Sequence, residues 1–166
     1  MNASPILTRA MGRLTSIPWD NVAVGGRNSR QILQQVQDRF RPGVHDIVLV
    51  SIGANDGGRR LTWTQRHVDA LSRIVRGAGA DLVIFTEPPL RGYRGFRERP
   101  GAIVRSEAHR RWVLGGNAGA RHIVDLHRVL GDGRGGIRSD FDGGDGLHPN
   151  RAGREAMAQA VARRIV

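Results

Sequence analysis

The sequence contains no cysteine and no lysine, and no apolar run in it approaches the length of a membrane span. The absence of cysteine excludes disulfides, a cysteine nucleophile and thiolate metal sites, and it leaves the redox compartment undetermined. A transmembrane segment is not expected, because it needs about 20 consecutive apolar residues. Residues 1–15 also lack the apolar segment of a secretory signal. Localisation is otherwise undetermined, and the cytoplasm is the default expectation.

All 26 basic residues are arginines, and with 15 acidic residues they give a formal net charge of +11. Arginine without lysine, together with 23 glycines, is typical of GC-rich coding sequence. A basic surface can attract nucleic acid or an anionic membrane. Here the arginines are spread along the whole chain and no nucleic-acid motif accompanies them. We therefore expect a solvated basic surface and no specific nucleic-acid partner.

The 166 residues fit a single domain spanning 1–166. Apolar runs typical of strands alternate with helical patterns along the chain. The predicted strands are Asn21–Val24, His45–Ile52, Asp81–Thr86 and Arg121–Leu126, and the main predicted helices lie near 28–40, 62–76, 102–114 and 150–166. This alternation predicts a three-layer α/β fold with a parallel sheet, whose ligands bind at the carboxyl ends of the strands.

Two polar clusters follow predicted strands in the first half of the chain. Gly26 lies between a strand and a helix, where an exposed backbone N–H suits an oxyanion or a phosphate. The alternative is a tight turn that needs a positive φ. Asn55 follows the next strand between glycines, where its amide can donate to a developing oxyanion or simply close an Asx turn.

A third cluster, Asp145-Gly146-Leu147-His148-Pro149, precedes the last predicted helix. A carboxylate three residues before a histidine can fix the tautomer and orientation of the imidazole, which then serves as a general base. The alternative is a capping loop with an incidental histidine. The other five histidines show no such spacing and are interpreted as surface or packing residues.

Taken in order, these three clusters resemble the second, third and fifth sequence blocks of the SGNH hydrolases, also called GDSL esterases and lipases. The resemblance spans Asn21 to Val166. It implies a flavodoxin-like α/β/α sandwich that hydrolyses an acyl ester through an acyl-serine, with no metal and no organic cofactor. The Gly26 N–H and the Asn55 amide would form the oxyanion hole, His148 would be the base and Asp145 would orient it. The substrate would be a small-molecule, carbohydrate or lipid ester.

The family's first block is missing. In the family a buried central strand leads into Gly-Asp-Ser, whose serine is the nucleophile, and this chain contains no Gly-Asp-Ser. Ser4 is the only serine near the expected place, immediately before a predicted helix over Ile6–Leu14. Only three residues precede Ser4, too few for a strand of normal length. The nucleophile is therefore left unassigned, with Ser4 as the candidate.

Three explanations account for the missing strand and serine. The natural protein begins upstream of Met1, or a partner chain supplies the strand, or the chain is a non-catalytic relative. Without the first strand the sheet would have an unpaired edge, through which the chain could form oligomers. The leading hypothesis is an SGNH-type ester hydrolase. The alternatives are a non-catalytic binding module on the same fold and, from the net charge, an anion-binding or nucleic-acid-binding protein.

Overall fold

A computed structural model describes residues 5–93, 95 and 100–166. Within them, β1 (Ile47–Ser51), β2 (Asp81–Phe85) and β3 (His122–Val124) form a parallel sheet in the order β1-β2-β3. The helices are α1 (Pro5–Thr15), α2 (Ser29–Arg39), α3 (Leu61–Gly77), α4 (Pro100–Leu114), α5 (Leu126–Leu130) and α6 (Arg151–Ile165). The predicted α/β fold, a parallel sheet flanked by helices, is confirmed. None of these helices has the length and apolar character needed to span a membrane.

The chain divides into two compact units, each discontinuous in sequence. The first unit comprises Met1–Gly25, Pro88–Arg99 and Leu126–Val166, and the second comprises Gly26–Glu87 and Pro100–Asp125. The whole sheet lies in the second unit together with α2, α3 and α4. The assignment of residues 1–166 to a single domain stays a prediction.

The second unit is built on an apolar core between the sheet and its helices. Val68, Leu71 and Val75 recur at helical spacing on α3 and are fully buried. On β2, Leu82 and Ile84 point to the same face of the sheet and belong to the same apolar cluster. The helical repeat of α3 therefore reflects the burial of one face, whereas the continuous apolar run of β2 reflects burial on both faces, since its last four residues are all buried.

The first unit packs α1 against α6. The buried residues of α1 are Ala10 and Met11, and those of α6 include Ala158 and Val161. Met157 of α6 is buried as well, so each helix contributes one methionine and small side chains to the buried residues of the unit. The observed α1 agrees with the helix predicted over Ile6–Leu14. Ser4, the candidate nucleophile, lies outside the described residues.

The predicted strand Asn21–Val24 is wrong, because only Val24 forms an isolated bridge. Val22 and Val24 are 39% and 37% exposed, so no buried face drives strand formation. In addition, the Asn21 side-chain oxygen accepts the Ala23 N–H at 3.1 Å, which removes that donor from a ladder. No strand in the described part of the chain pairs with the free edge of β1. Oligomer formation through that edge stays a prediction.

Replacing Leu71 by alanine tests the core of the second unit. Leu71 is 0% exposed, so Leu71→Ala should lower the free energy of unfolding by about 3 kcal/mol through lost apolar burial and a residual cavity. The matched control is Val44→Ala, because Val44 is 71% exposed. Urea unfolding followed by circular dichroism measures both variants. Equal losses in the two would contradict this account of the core.

Candidate active site

Gly26 lies in an exposed turn immediately before α2. Its φ is +80°, a conformation that favours glycine, although a Cβ there would meet nothing within 4 Å. Asn28 caps α2, since its side chain accepts the Gln31 N–H while the Gln31 side chain accepts the Asn28 N–H. No hydrogen bond from the Gly26 N–H is found within the described residues. This N–H is therefore available at the positive end of a helix.

Asn55 lies in a four-residue turn that follows β1. The Asp56 N–H donates to Gly53 O at 2.9 Å and closes this turn. Asn55 is exposed, and its Nδ2 donates to Arg27 O at 3.2 Å. The structure thus brings Asn55 beside the Gly26 turn, although the strand predicted to precede Gly26 is not formed. An amide nitrogen carries two donors, so one N–H of Asn55 remains for a ligand.

Asp56 links this turn to two helices. Its carboxylate is 1% exposed; Oδ1 accepts the Ser29 N–H at 2.8 Å and Oδ2 accepts the Thr64 hydroxyl. Ser29 is the first residue of α2, and Thr64 lies in the first turn of α3. No role was predicted for Asp56 from the sequence. Its partners are 27 and 8 residues away, and no local pattern reveals them.

Asp145 and His148 form a close pair in the first unit. His148 Nδ1 lies 2.6 Å from Asp145 Oδ2, while Asp145 Oδ1 accepts the backbone N–H groups of Leu147 and His148. Burial raises the pKa of the Asp145 carboxyl, but the hydrogen bonds from His148 and from these N–H groups outweigh burial and lower the pKa to about 2. An ionised carboxylate at Nδ1 holds the proton there, which leaves Nε2 as the acceptor.

The loop that carries this pair is braced on both sides. The Gly143 N–H donates to His148 O and the Asn150 N–H donates to Phe141 O, each at 2.8 Å. The Asn150 side chain also accepts the Gly153 N–H as the N-cap of α6, and its Nδ2 donates to Asp140 O. The pair therefore sits at the tip of a hairpin-like loop with a fixed backbone, although His148 itself is exposed.

Gly26 and Asn55 belong to the second unit, and Asp145 and His148 belong to the first. Each pair is assembled within its own unit, and the catalytic roles of all four stay predictions. Of the described serines, Ser29, Ser72 and Ser106 are buried and out of reach of a substrate. No group of three or more metal-ligating side chains is present in residues 5–93, 95 and 100–166.

A buried polar cluster at the carboxyl ends of β1 and β2 was not predicted. Glu87, which follows β2, lies 3.4 Å from Arg105 Nη2 and 3.1 Å from His109 Nδ1, and the Glu87 and His109 side chains are both 0% exposed. A Cβ on Gly53 would lie 2.6 Å from Glu87 Oε1 and 2.8 Å from His109 Cε1. Arg105 and His109 are four residues apart on one helix, so their spacing could have predicted that they share one helix face. It could not have predicted the cluster, because their acidic partner Glu87 is distant in sequence.

Replacing Gly53 by alanine tests how closely this cluster encloses the Asn55 turn. Gly53 has a φ of +112°, and a Cβ would collide with two buried side chains, so Gly53→Ala should cost about 2 kcal/mol or more of folding free energy. Gly57→Ala is the matched control, because a Cβ there meets nothing within 4 Å. It should change stability by less than about 0.5 kcal/mol. Chemical denaturation compares the two, and an unchanged Gly53→Ala protein would refute the close contact.

The lowered pKa of Asp145 gives a pH-dependent contribution to stability. Because the folded pKa of about 2 lies below the ordinary value of about 3.9, the ionised carboxylate stabilises the fold above that ordinary value. This contribution is lost as the pH falls through about 2. Asp145→Asn removes the charge and keeps the shape. The difference in unfolding free energy between wild type and variant should shrink between about pH 5 and pH 2. A difference that stays constant over this range in urea titrations would contradict the assignment.

Comparison with known proteins gives a family match and a set of similar folds. The sequence model of the GDSL-like Lipase/Acylhydrolase family matches residues 2–156. No curated protein matches the chain. The fold is similar to that of a proposed lipolytic protein of the G-D-S-L family from Desulfitobacterium hafniense DCB-2, with a TM-score of 0.82 at 14% identity, covering 96% of this chain and 87% of that one.

Two esterases have similar folds at low sequence identity. An acetylxylan esterase from Geobacillus stearothermophilus, solved as a catalytic mutant, matches with a TM-score of 0.74 at 16% identity and covers 96% of this chain and 78% of that one. The psychrotrophic esterase from Pseudoalteromonas sp., inhibited by monoethylphosphonate, matches with a TM-score of 0.61 at 20% identity. The match covers 96% of this chain and 82% of that one. Because the family match extends over residues 2–156, this chain belongs to the GDSL-like lipase/acylhydrolase family, also known as the SGNH hydrolases.

Proposed function

We propose that this protein hydrolyses carboxylic esters through an acyl-serine, with His148 as the general base. The observation that carries the proposal is the Asp145–His148 pair. The 2.6 Å contact at Nδ1 directs the free imidazole nitrogen outward, on a side chain that is 69% exposed. A base must be oriented and also reachable by the substrate, and this histidine meets both requirements.

In the first step the serine hydroxyl oxygen attacks the ester carbonyl carbon, and its proton passes to His148 Nε2. The imidazolium that forms is stabilised by the Asp145 carboxylate. Collapse of the tetrahedral intermediate breaks the bond to the alcohol, which leaves with the proton from His148. Water then attacks the carbonyl carbon of the acyl-serine while His148 accepts its proton. As the bond to the serine oxygen breaks, His148 returns this proton to that oxygen and the acid is released.

The negative charge on the carbonyl oxygen needs donors that are already in place. The Gly26 N–H and the second N–H of the Asn55 amide are suited to this role, because both residues are exposed. The hydrogen bond from Asn55 Nδ2 to Arg27 O, 3.2 Å long, orients the amide without occupying its other donor. Donors fixed before the reaction stabilise the transition state by more than donors that must reorganise.

Ser4 is the proposed nucleophile. It is one of seven serines in the chain and directly precedes α1, which begins at Pro5. Ser4 enters the proposal on its place in the sequence, because it lies outside the described residues. The acetylxylan esterase and the lipolytic protein of similar fold support ester hydrolysis as the reaction class.

Labelling with a fluorophosphonate tests the nucleophile and the base together. The serine oxygen displaces fluoride from phosphorus, so intact-mass analysis should show one adduct, and peptide mapping should place it on Ser4. Ser4→Ala should abolish the adduct. His148→Ala should slow both labelling and ester turnover by at least about a thousandfold, since the members of a triad act as a unit.

Matched controls separate reactivity from accessibility. Ser51 and Ser139 are exposed, so Ser51→Ala and Ser139→Ala should label as wild type does. An adduct on Ser51 or Ser139 would move the nucleophile and overturn the assignment of Ser4. Absence of any adduct, or turnover that survives His148→Ala, would contradict the proposed hydrolysis for this chain and favour a non-catalytic binding module.

A further inference from the structure

The buried side of α4 carries polar residues where apolar residues are expected. Ala102, Ser106, His109 and Val113 are buried, at spacings of four, three and four residues that mark one face of the helix. The middle of this face is Ser106, which is 2% exposed, and His109, which is 0% exposed. A helix face that packs on a core is normally apolar. The polar pair therefore points to a specific requirement at this place.

The polar face of α4 surrounds the buried carboxylate of Glu87. Burial raises the pKa of Glu87, but His109 and then the Arg105 guanidinium outweigh burial and hold the pKa below its ordinary value. The carboxylate is therefore ionised near neutral pH. Its Oε1 lies 3.4 Å from Arg105 Nη2, and the Arg105 side chain is only 10% exposed. An ionised acceptor in a buried setting restricts the guanidinium to one orientation.

That orientation directs Arg105 at the turn that carries Asn55. Arg105 Nη2 donates to Gly53 O at 2.9 Å. The same oxygen accepts the Asp56 N–H, also at 2.9 Å. A carbonyl oxygen has two lone pairs, and both are now used, so the peptide plane at the start of the turn is fixed. Asp56 anchors the other end of the turn, and Asn55 lies between the two fixed points.

The cluster carries a cost in stability that apolar side chains would not have. Among the described residues, Arg105 Nε, Arg105 Nη1 and His109 Nε2 are buried without a hydrogen-bond partner. Unsatisfied buried donors are unfavourable, and buried ion pairs are often less stabilising than apolar residues of similar volume. We therefore attribute to the cluster an effect on the position of the turn and not on the stability of the fold.

We propose that Arg105, held by Glu87, is a positioning residue for the Asn55 amide. It fixes the Gly53 carbonyl and so sets the direction in which the turn presents Asn55. The inference rests on the proposed function, which makes Asn55 an oxyanion donor. Arg105 itself does not contact the ester.

The first experiment compares two arginines of the same helix in the hydrolysis of p-nitrophenyl acetate. Arg105→Met should lower kcat by about tenfold or more with KM changed by less than about twofold, because a displaced oxyanion donor weakens only the transition state. Arg105→Lys, which keeps the charge, should restore part of kcat. The control is Arg110→Met: Arg110 pairs with Asp125 at the end of β3, at 2.6 Å, and should leave kcat within about twofold. Equal kcat in Arg105→Met and Arg110→Met would overturn the proposal.

A second variant separates positioning from folding. Arg105→Met alone removes the arginine partner of the buried Glu87 carboxylate and leaves it with His109 only, which can prevent folding. The double variant Glu87→Met, Arg105→Met removes both charges and should unfold at a urea concentration close to that of wild type. It should still show the low kcat of Arg105→Met, because the bond to Gly53 O is gone. Wild-type kcat in the stable double variant would refute the role of Arg105.

A mutant cycle with Asn55 distinguishes this inference from the proposed function. Asn55→Ala should lower kcat by about a hundredfold, and adding Arg105→Met to it should cause less than about a twofold further loss, because Arg105 acts through Asn55. Effects that multiply would refute the inference while the proposed function stands. Unchanged turnover in Asn55→Ala would refute the oxyanion role of Asn55 itself.

Hydrogen exchange tests the placement of the turn without any turnover. The Asp56 N–H bonds the carbonyl that Arg105 holds, so its exchange should be at least about tenfold faster in the Glu87→Met, Arg105→Met protein than in wild type. Arg110→Met should leave that exchange rate unchanged. Equal protection of Asp56 in all three proteins would show that Arg105 does not position the turn.

Discussion

The Asp56 carboxylate is buried at the point where the start of α2, the start of α3 and the turn after β1 meet. It accepts the Ser29 N–H and the Thr64 hydroxyl, while its own N–H closes the turn onto Gly53 O. A buried anion is tolerated only when hydrogen bonds replace its hydration, and here they come from the starts of two helices. Because Ser29 lies three residues after Gly26, the same contacts fix the Gly26 turn relative to Asn55. The arrangement of the two proposed oxyanion donors therefore depends on one charge.

The two halves of the candidate site are held by contacts of different range. Asp145 and His148 are three residues apart, and every hydrogen bond of the Asp145 carboxylate stays within that interval. Such a pair is determined by its own loop, and the sequence spacing alone was enough to predict its contact. The Gly26–Asn55 half depends on two long-range hydrogen bonds, whose partners are separated by 27 positions in one case and by 28 in the other. A strand-end pattern identified Gly26 and Asn55 as candidates, but the strand before Gly26 is not formed, and the pattern gave no information on Asp56, which holds the two turns together.

The same difference in range explains how much of the fold was predictable. The α3 helix buries one face and the β2 strand is buried on both, and the helical repeat or continuous run of apolar residues recorded that burial within a few positions. The Asn21–Val24 segment has apolar residues at strand spacing, yet its valines are exposed and an asparagine bond occupies one of its backbone donors. The sequence pattern in that segment is the same as in a true strand. Only the tertiary environment distinguishes them, and a single sequence does not contain it.

The α4 helix shows why polar residues were the hardest to place. Its Arg105 bonds Gly53 O after β1 and its Arg110 bonds Asp125 after β3, so one helix holds the ends of two strands through charged side chains. From the sequence, these arginines are indistinguishable from the many that lie on the surface of a chain with a net charge of +11. What separates them is a partner: a carbonyl or a carboxylate at a strand end that is distant in sequence. In a protein this rich in arginine, the cations that hold strand ends in place are those whose directions are fixed by buried acceptors.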